Sequence, residues 1–466
     1  MSLDATEKEK LYKKYRKDST IINQDEVKKM DRPFTPLGKI IAILFIALCI
    51  YAVLWVTARS GHWYLLGGLM FAYLLLKEAF ALCYTPYKDE LTKEYKVTIL
   101  ITCFNENPAS VVKVFENILA LDYPVHEILF LDDGSSDPLA LEVAKSFAED
   151  HQDVENTPKF QVVGFEENRG KRAVMIDGFK MATGDYIFLV DSDSEILPNA
   201  LTELLRPFEY DKTSSVVGNI GVLNKNENFL TKLQSILYYN AFQLGRAAQS
   251  VTGDVVICSG AFSIHKKDFI MEHIEEFDKD RLFGITVSAG DDRTLTTFSK
   301  MSGGKTRYQS TAYCETEIPN TWRKFQSQRR RWQRSAYIGS LNSIKRMFPK
   351  NLWYLFWAFA EVYFWLIATI IFIVAIMTRG FHLDIVDIIL FHCIVMYKHM
   401  GFYLQYNPLR FLWVPIYSFV YALSLAFTRV HAAITIRDDG WGTRGAGKNK
   451  EKEIQETLGG KTNTPM

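Results

Sequence analysis

The stretch Tyr186-Ile187-Phe188-Leu189-Val190-Asp191-Ser192-Asp193-Ser194-Glu195 decides how the chain is read. Five apolar or aromatic residues run straight into two carboxylates set one residue apart. Gly184 precedes the run and Pro198 follows it. A short, β-rich apolar run of this kind reads as a buried parallel strand ending in a loop. In open α/β sheets, ligands bind outside the carboxyl ends of the strands. Asp191 and Asp193 on such a loop make a hard-oxygen claw suited to Mg²⁺ or Mn²⁺. On its own, Asp-Ser-Asp is also an ordinary surface turn, because turns favour both residue types.

Working outward, residues 95–334 read as an α/β domain. Val97–Thr102 and Glu127–Leu131 are strands, and Asn105–Leu121 is a loop and helix. The Phe160–Phe165 strand and the Lys171–Thr183 helix lead into the Tyr186 strand. This alternation predicts a parallel sheet with helices on both faces. Polar loops follow three strands, at Asn105-Glu106, at Asp132-Asp133 and at Asp191–Asp193. One sheet edge thus collects carboxylates and amides, as a nucleotide site requires.

The flanks are apolar. Ile40–Ala58 is long enough to cross a bilayer core of about 30 Å, and Trp63–Cys83 is a second span interrupted by Lys77 and Glu78. Lysines lie outside this pair, so residues 1–36 form a cytoplasmic arm and the α/β domain after residues 37–84 is cytoplasmic too. Residues 335–351 carry Ile338, Leu341, Ile344 and Met347 at helical spacing and are expected to lie flat at the membrane surface. A cytoplasmic amphipathic helix would show the same pattern. Within 352–436, Leu352–Met377 and Phe411–Ile434 are strong spans, and Asp384–Met400 is a weak one, expected in the interface or lining a polar path. Residues 437–466 are a polar cytoplasmic tail. The long, lysine-rich N-terminus gives no expectation of a cleaved leader. The six cysteines form no close-spaced pairs, which argues against a zinc knuckle or a disulfide framework. Lys+Arg is 54 against 53 Asp+Glu, a balance that argues neither for nor against nucleic acid, and no nucleic-acid partner is expected.

Two more stretches carry chemistry. Gly290-Asp291-Asp292-Arg293 supplies a candidate general base, although a surface turn reads the same in isolation. Gln328-Arg329-Arg330-Arg331-Trp332 lies in a basic stretch that a lipid-facing patch would also explain. An arginine there can pair with a phosphate and a tryptophan can stack on a sugar ring.

Taken in order, Asp132-Asp133, Asp191-Ser192-Asp193, Gly290-Asp291-Asp292 and Gln328-x-x-Arg331-Trp332, with apolar spans on both sides, resemble the membrane-embedded, processive family 2 glycosyltransferases. These are the cellulose, chitin and hyaluronan synthases. The resemblance covers Lys96–Trp332 and the general layout of the spans. Cys258-Ser259-Gly260, Gly290–Thr296 and Trp441-Gly442-Thr443-Arg444 look more narrowly like hyaluronan synthases, with rhizobial chitin-oligosaccharide synthases next. Arg329, where those enzymes usually carry Gln, and Ala261, where they usually carry Pro, depart from that pattern. Both departures bear on the sugar more than on the reaction.

The resemblance implies an α/β nucleotide-sugar transferase domain of the GT-A type, inserted between transmembrane helices of a multi-pass cell-membrane protein. It implies UDP-sugar donors, a growing polysaccharide acceptor, and Mg²⁺ or Mn²⁺ as cofactor; it leaves the oligomeric state open. By the same resemblance Thr102, Glu106 and Asp133 hold the uridine, Lys171 reaches the nucleotide and Asp191 faces the donor. Asp193 ligates the metal, Asp292 is the catalytic base, and Gln328, Arg331 and Trp332 bind the diphosphate and the acceptor end. Trp441 and Arg444 belong to a loop closing over the donor.

Overall fold

The structure is a computed structural model and describes residues 65–151, 157–282, 285–286, 290–367, 369–370, 377 and 414–436. The expected arm, the Ile40–Ala58 span, the weak segment 384–400, and the tail with Trp441 and Arg444 lie outside these residues.

An eight-stranded sheet organises the domain. Its strands are β1 (Val97–Cys103), β2 (Glu127–Asp132), β3 (Lys159–Gly164), β4 (Tyr186–Asp191), β5 (Glu195–Ile196), β6 (Thr213–Val222), β7 (Phe262–Lys266) and β10 (Lys305–Thr316). The separate pair β8 (Arg281–Leu282) and β9 (Ile285–Thr286) is antiparallel. The strand order is β3-β2-β1-β4-β7-β6-β10-β5.

The first four strands in that order are parallel, as the alternation predicts. Successive side chains of a strand point to opposite faces. Ile99, Ile101, Ile128, Phe130, Phe188 and Val190 accordingly join one core, with Val111, Phe115 and Phe147 from the Pro108–Leu119 and Leu139–His151 helices. Leu100, Leu129, Leu131, Ile187 and Leu189 join the other, with Val174 and Phe179 of the Lys171–Met181 helix. The Pro108–Leu119 helix begins where its sequence dictates: Pro108 opens it and Asn107 Oδ1 accepts from Ala109 N at 3.0 Å. Glu127, fully buried at the start of β2, accepts from Thr98 Oγ1 (3.0 Å), Gln161 Nε2 (2.9 Å) and Thr183 N (2.9 Å). A buried carboxylate with that many donors is tolerated.

The expectation of a wholly parallel sheet needs correction. β7 runs antiparallel to both β4 and β6, and β5 antiparallel to β10. The reason is local: the chain enters β7 beside the end of β4, where Ala261 O accepts from Asp191 N at 3.4 Å, and so runs back along it.

Beyond the sheet, one helix runs unbroken from Trp322 to Met347, so the expected boundary after Arg334 falls inside it. Ile338 and Met347 on it are buried and Leu341 is exposed, so these residues do not share one environment. The Leu352–Phe359 helix continues into a π-helical turn, Ala360–Phe364. Glu361 in that turn accepts from Lys77 Nζ (2.5 Å) and Tyr73 OH (2.9 Å) of the Leu65–Cys83 helix. Arg334 donates to Thr435 Oγ1 at 2.8 Å beside the Val414–Ile434 helix. No helix among the described residues is long and apolar enough to cross a membrane.

Candidate active site

Strand register sets the first contacts. Thr102 lies opposite both Leu131 and Asp191, and Cys103 lies opposite Asp132, so three strand ends finish at one level. Asp132 shapes its own turn, accepting from Ser135 N (2.9 Å) and Ser135 Oγ (2.6 Å). The turn requires glycine at 134: φ is +68° and an added Cβ would sit 2.6 Å from the Glu167 carbonyl carbon. Asn105 stitches the neighbouring loop to it, donating its N–H to Ser135 Oγ (2.7 Å) and accepting from Ser136 N (2.9 Å).

Asp133 is buried, and its carboxylate accepts from Arg169 N (2.8 Å) and Gly170 N (3.0 Å). It therefore holds the turn that starts the Lys171–Met181 helix, a task its expected nucleotide role did not include. That turn delivers Lys171 Nζ to Asp191 Oδ1 at 2.6 Å. Two residues on, burial pushes the Asp193 carboxyl up to about 7; the nearby charges of Asp191 and Glu106 add to the rise and Lys171 opposes it. Excess negative charge of this kind fits a divalent cation. Among the described residues no group of three or more His, Cys, Asp or Glu stands as a ready cage.

Asp292 sits at the start of the Asp291–Met301 helix. Its Oδ1 accepts from Arg293 N at 2.8 Å. Burial raises its carboxyl above the ordinary range; Asp291 raises it further, while Arg293 and Arg246 pull it down. Arg172 Nε pairs with Asp291 Oδ1 at 2.6 Å. Thr296 Oγ1 accepts from Cys258 N (2.9 Å) and donates to Asp292 O (2.6 Å), linking the Cys-Ser-Gly loop to this helix. At the far end of the helix, Lys300 Nζ pairs with Asp254 Oδ1 (2.7 Å). Asp254 also accepts from Asn351 Nδ2 (2.8 Å), and Asn351 caps the Leu352–Phe359 helix.

Gly290 abuts the long helix that carries Gln328, Arg331 and Trp332. Trp332 is 38% exposed, and the Arg329 guanidinium lies 4.7 Å from its ring centre. Gln328 Oε1 and Arg329 Nε and Nη2 are buried without a hydrogen-bond partner. Tyr238, pushed up to about 12 by burial, feels Arg329 as well as Asp193 and Asp191, which connects this helix to the acidic loop. Thr102, Glu106, Asp133, Lys171, Asp191 and Asp193 thus gather at the sheet edge. The loop of Asp292 joins them through Arg172, which pairs with the neighbouring Asp291, and the helix carrying Gln328 and Trp332 joins through Ser335 against Gly290 and Arg329 beside Tyr238. Sequence reasoning missed Thr296 and Arg246 as neighbours of Asp292, and Arg172 as the partner of Asp291. The adjacency of Arg172 to Lys171 was the available signal.

Residues 98–245 match the model of glycosyl transferase family 2, and residues 186–435 that of glycosyl transferase family group 2. A hyaluronan synthase of Streptococcus pyogenes is 31% identical over 407 residues, which covers 86% of this chain and 95% of that protein. An N-acetylglucosaminyltransferase of Azorhizobium caulinodans is 26% identical over 361 residues, 76% of this chain and 89% of its own. Among solved structures, a mannosyltransferase from Pyrobaculum calidifontis in complex with GDP-Man and Mn²⁺ superposes with a TM-score of 0.56 at 18% identity, covering 83% of this chain and 99% of its own. At that identity the likeness speaks for the fold alone.

Proposed function

The chain belongs to glycosyl transferase family 2, and from that premise we propose that it is a processive, inverting synthase of a β-linked, amino-sugar-containing polysaccharide. Hyaluronan, built from UDP-GlcNAc and UDP-glucuronate, is the first candidate product. The hyaluronan synthase relative, matched along most of both chains, supports that choice. The observation that carries the reading is the joining of Asp191 and Asp291 through adjacent residues, Lys171 and Arg172. A donor-facing loop and a base-bearing loop become one unit.

Thr102, Glu106 and Asp133 hold the uridine in this reading, and Lys171 approaches the diphosphate as Asp191 turns to the donor sugar. Asp193 would hold Mg²⁺ or Mn²⁺ together with diphosphate oxygens, and the bound cation supplies neutralisation of charge on departing UDP. Asp292 takes the proton from the acceptor hydroxyl as it attacks the anomeric carbon from the face opposite UDP. A single displacement of that kind turns an α-linked donor into a β-linked product. Trp332 gives the acceptor end a flat platform, and Gln328 and Arg331 hold diphosphate and acceptor. The proposed roles of Trp441 and Arg444 toward the donor fall outside the described residues. In this reading the enzyme sits in the cell membrane with this domain cytoplasmic, which the flanking apolar segments of the sequence support, and those segments offer a route for a polymer too polar to cross lipid unaided.

Purified protein given Mn²⁺ and both donors should release UDP and yield a polymer cut by hyaluronidase. Polymer from UDP-GlcNAc alone would move the reading to a chitin-type synthase, which the rhizobial relative supports. A glucose and glucuronate product would mark a capsule-type enzyme. A single-sugar lipid adduct would replace processive synthesis with simple transfer, and solute flux without UDP release would point to a transporter.

A further inference from the structure

Lys171 and Arg172 are the first two residues of their helix, and they serve different acidic loops. Lys171 Nζ reaches Asp191 Oδ1 at 2.6 Å, and Arg172 Nε reaches Asp291 Oδ1 at 2.6 Å. Neighbouring residues on a helix point about 100° apart, so one dipeptide can address two loops that never meet in sequence. We propose that Arg172 is a positioning residue for glycosyl transfer: with Lys171 it fixes the separation between the loop that receives the donor and the loop that carries Asp292. This rests on the functional reading above.

Arg172 is held on several sides. Its Nη1 donates to Phe277 O at 3.3 Å, and its guanidinium lies 4.8 Å from the Phe277 ring centre. The Arg172 and Asp291 side chains are 12% and 9% exposed, against 23% and 34% for Lys171 and Asp191. The arginine pair is the drier of the two, so its geometry is the less forgiving. A dry pair loses most when one partner is removed, because the other charge stays buried. A second, independent tether runs in parallel. Thr296 joins Cys258 N to Asp292 O, and Ala261, three residues on from Cys258, accepts from Asp191 N. Two routes between the same two loops imply that their spacing matters. Displacing a reacting group by about 1 Å costs on the order of 100-fold in rate.

Electrostatics give the test its discriminating power. Among the described residues, the titratable and charged groups facing Asp292 are Asp291 and Arg293 on its own helix, Arg246 from the π-helical segment Asn240–Arg246 and the Cys258 thiol of the neighbouring loop. Arg172 offsets Asp291. In R172Q the Asp291 charge is left unopposed, the Asp292 carboxyl rises, and the acidic limb of kcat/KM moves to higher pH. In D291N the raising charge is gone and the limb moves to lower pH. Opposed shifts show that the charges of this pair reach Asp292, and a kcat loss with UDP affinity held separates positioning from a merely structural role.

The experiment measures UDP release against pH for the wild type, R172Q, D291N and the exchanged pair R172D/D291R, with UDP affinity taken by calorimetry. Expected are a kcat loss of about 10- to 100-fold in R172Q with UDP affinity within about threefold, opposed limb shifts, and partial recovery in the exchanged pair. Should R172Q fail to fold, R172K keeps the cation without the planar fork and is expected to lose kcat in the same direction. Unaltered kcat in R172Q, or limbs that move together, overturns the inference while leaving the functional reading standing. A folded wild type that releases no UDP from any nucleotide sugar overturns that reading and the inference with it.

Discussion

A Cβ on Gly290 would lie 2.2 Å from Ser335 Oγ, so the loop that carries Asp292 is pressed directly against the helix that carries Trp332. Gly290 also adopts φ +97°, a backbone state that side chains resist. Gly290→Ala therefore meets both strain and overpacking, about 1–3 kcal/mol for either. It should lower the melting temperature and kcat together. Adding Ser335→Gly relieves the clash but not the backbone strain, so recovery should be partial; full recovery would show that φ at 290 is unimportant.

Asp292→Asn should reduce UDP release by about 10²- to 10⁴-fold while UDP still binds. Because burial lifts the Asp292 carboxyl, the wild-type enzyme should lose activity as pH falls through a value above the ordinary carboxylate pKa of about 4. A near-normal rate in the variant would remove Asp292 from the base role.

Chelation of divalent cations should abolish turnover, and added Mn²⁺ should restore it. In Asp193→Asn the excess charge around Asp191 and Glu106 is reduced and a hard-oxygen donor is lost. UDP binding should then become nearly independent of Mn²⁺, with a rate loss of about 100-fold or more. A variant whose UDP affinity still rises with Mn²⁺ would place the cation elsewhere.

If Trp332 is the proposed acceptor platform, Trp332→Ala should shorten the product more than it slows the release of UDP. Trp332→Phe, which keeps a flat ring, should retain intermediate lengths. Equal chain lengths in wild type and the alanine variant would remove the platform role.

His265 is fully buried between Ser215 Oγ (2.8 Å) and Ser263 Oγ (3.0 Å), and burial pulls its pKa down to about 3. The unfolded chain protonates near pH 6.5, whereas the native imidazole refuses the proton until near pH 3. Native stability is thus intact above about pH 6.5 and falls as pH drops toward 3, by up to about 1.4 kcal/mol per unit from this group. Denaturant unfolding at a series of pH values should show His265→Gln with a shallower acid dependence than wild type. Parallel curves would refute the assignment.

Much of the sheet was legible because β1, β2 and β4 are unbroken apolar runs covered on both faces, each ending in a polar loop. β6 and β10 were not. β6 opens on Thr213, Ser214 and Ser215, and β10 carries Thr, Tyr, Gln and Ser throughout, so neither shows an apolar run. Gln309 binds both Tyr87 N and Tyr87 O from far away in the chain. The acidic residues of the site could be picked out by their loops. Their connections could not, because Lys171–Asp191 and Arg172–Asp291 depend on how a helix start meets a sheet edge. Likewise Asp133 looks like a ligand group in sequence, and only the fold reveals that it grips Arg169 N and Gly170 N.

The Asp291–Met301 helix has one tip in the chemistry and its other tip, through Lys300 and Asp254, at the foot of the Leu352–Phe359 helix. At about 1.5 Å per residue it spans roughly 16 Å. The acid–base pairing of Lys300 with Asp254 thus ties the foot of the Leu352–Phe359 helix to the same rod that carries the proposed base Asp292, so a substitution at Asp254 or Asn351, remote in sequence from Asp292, bears on the same helix.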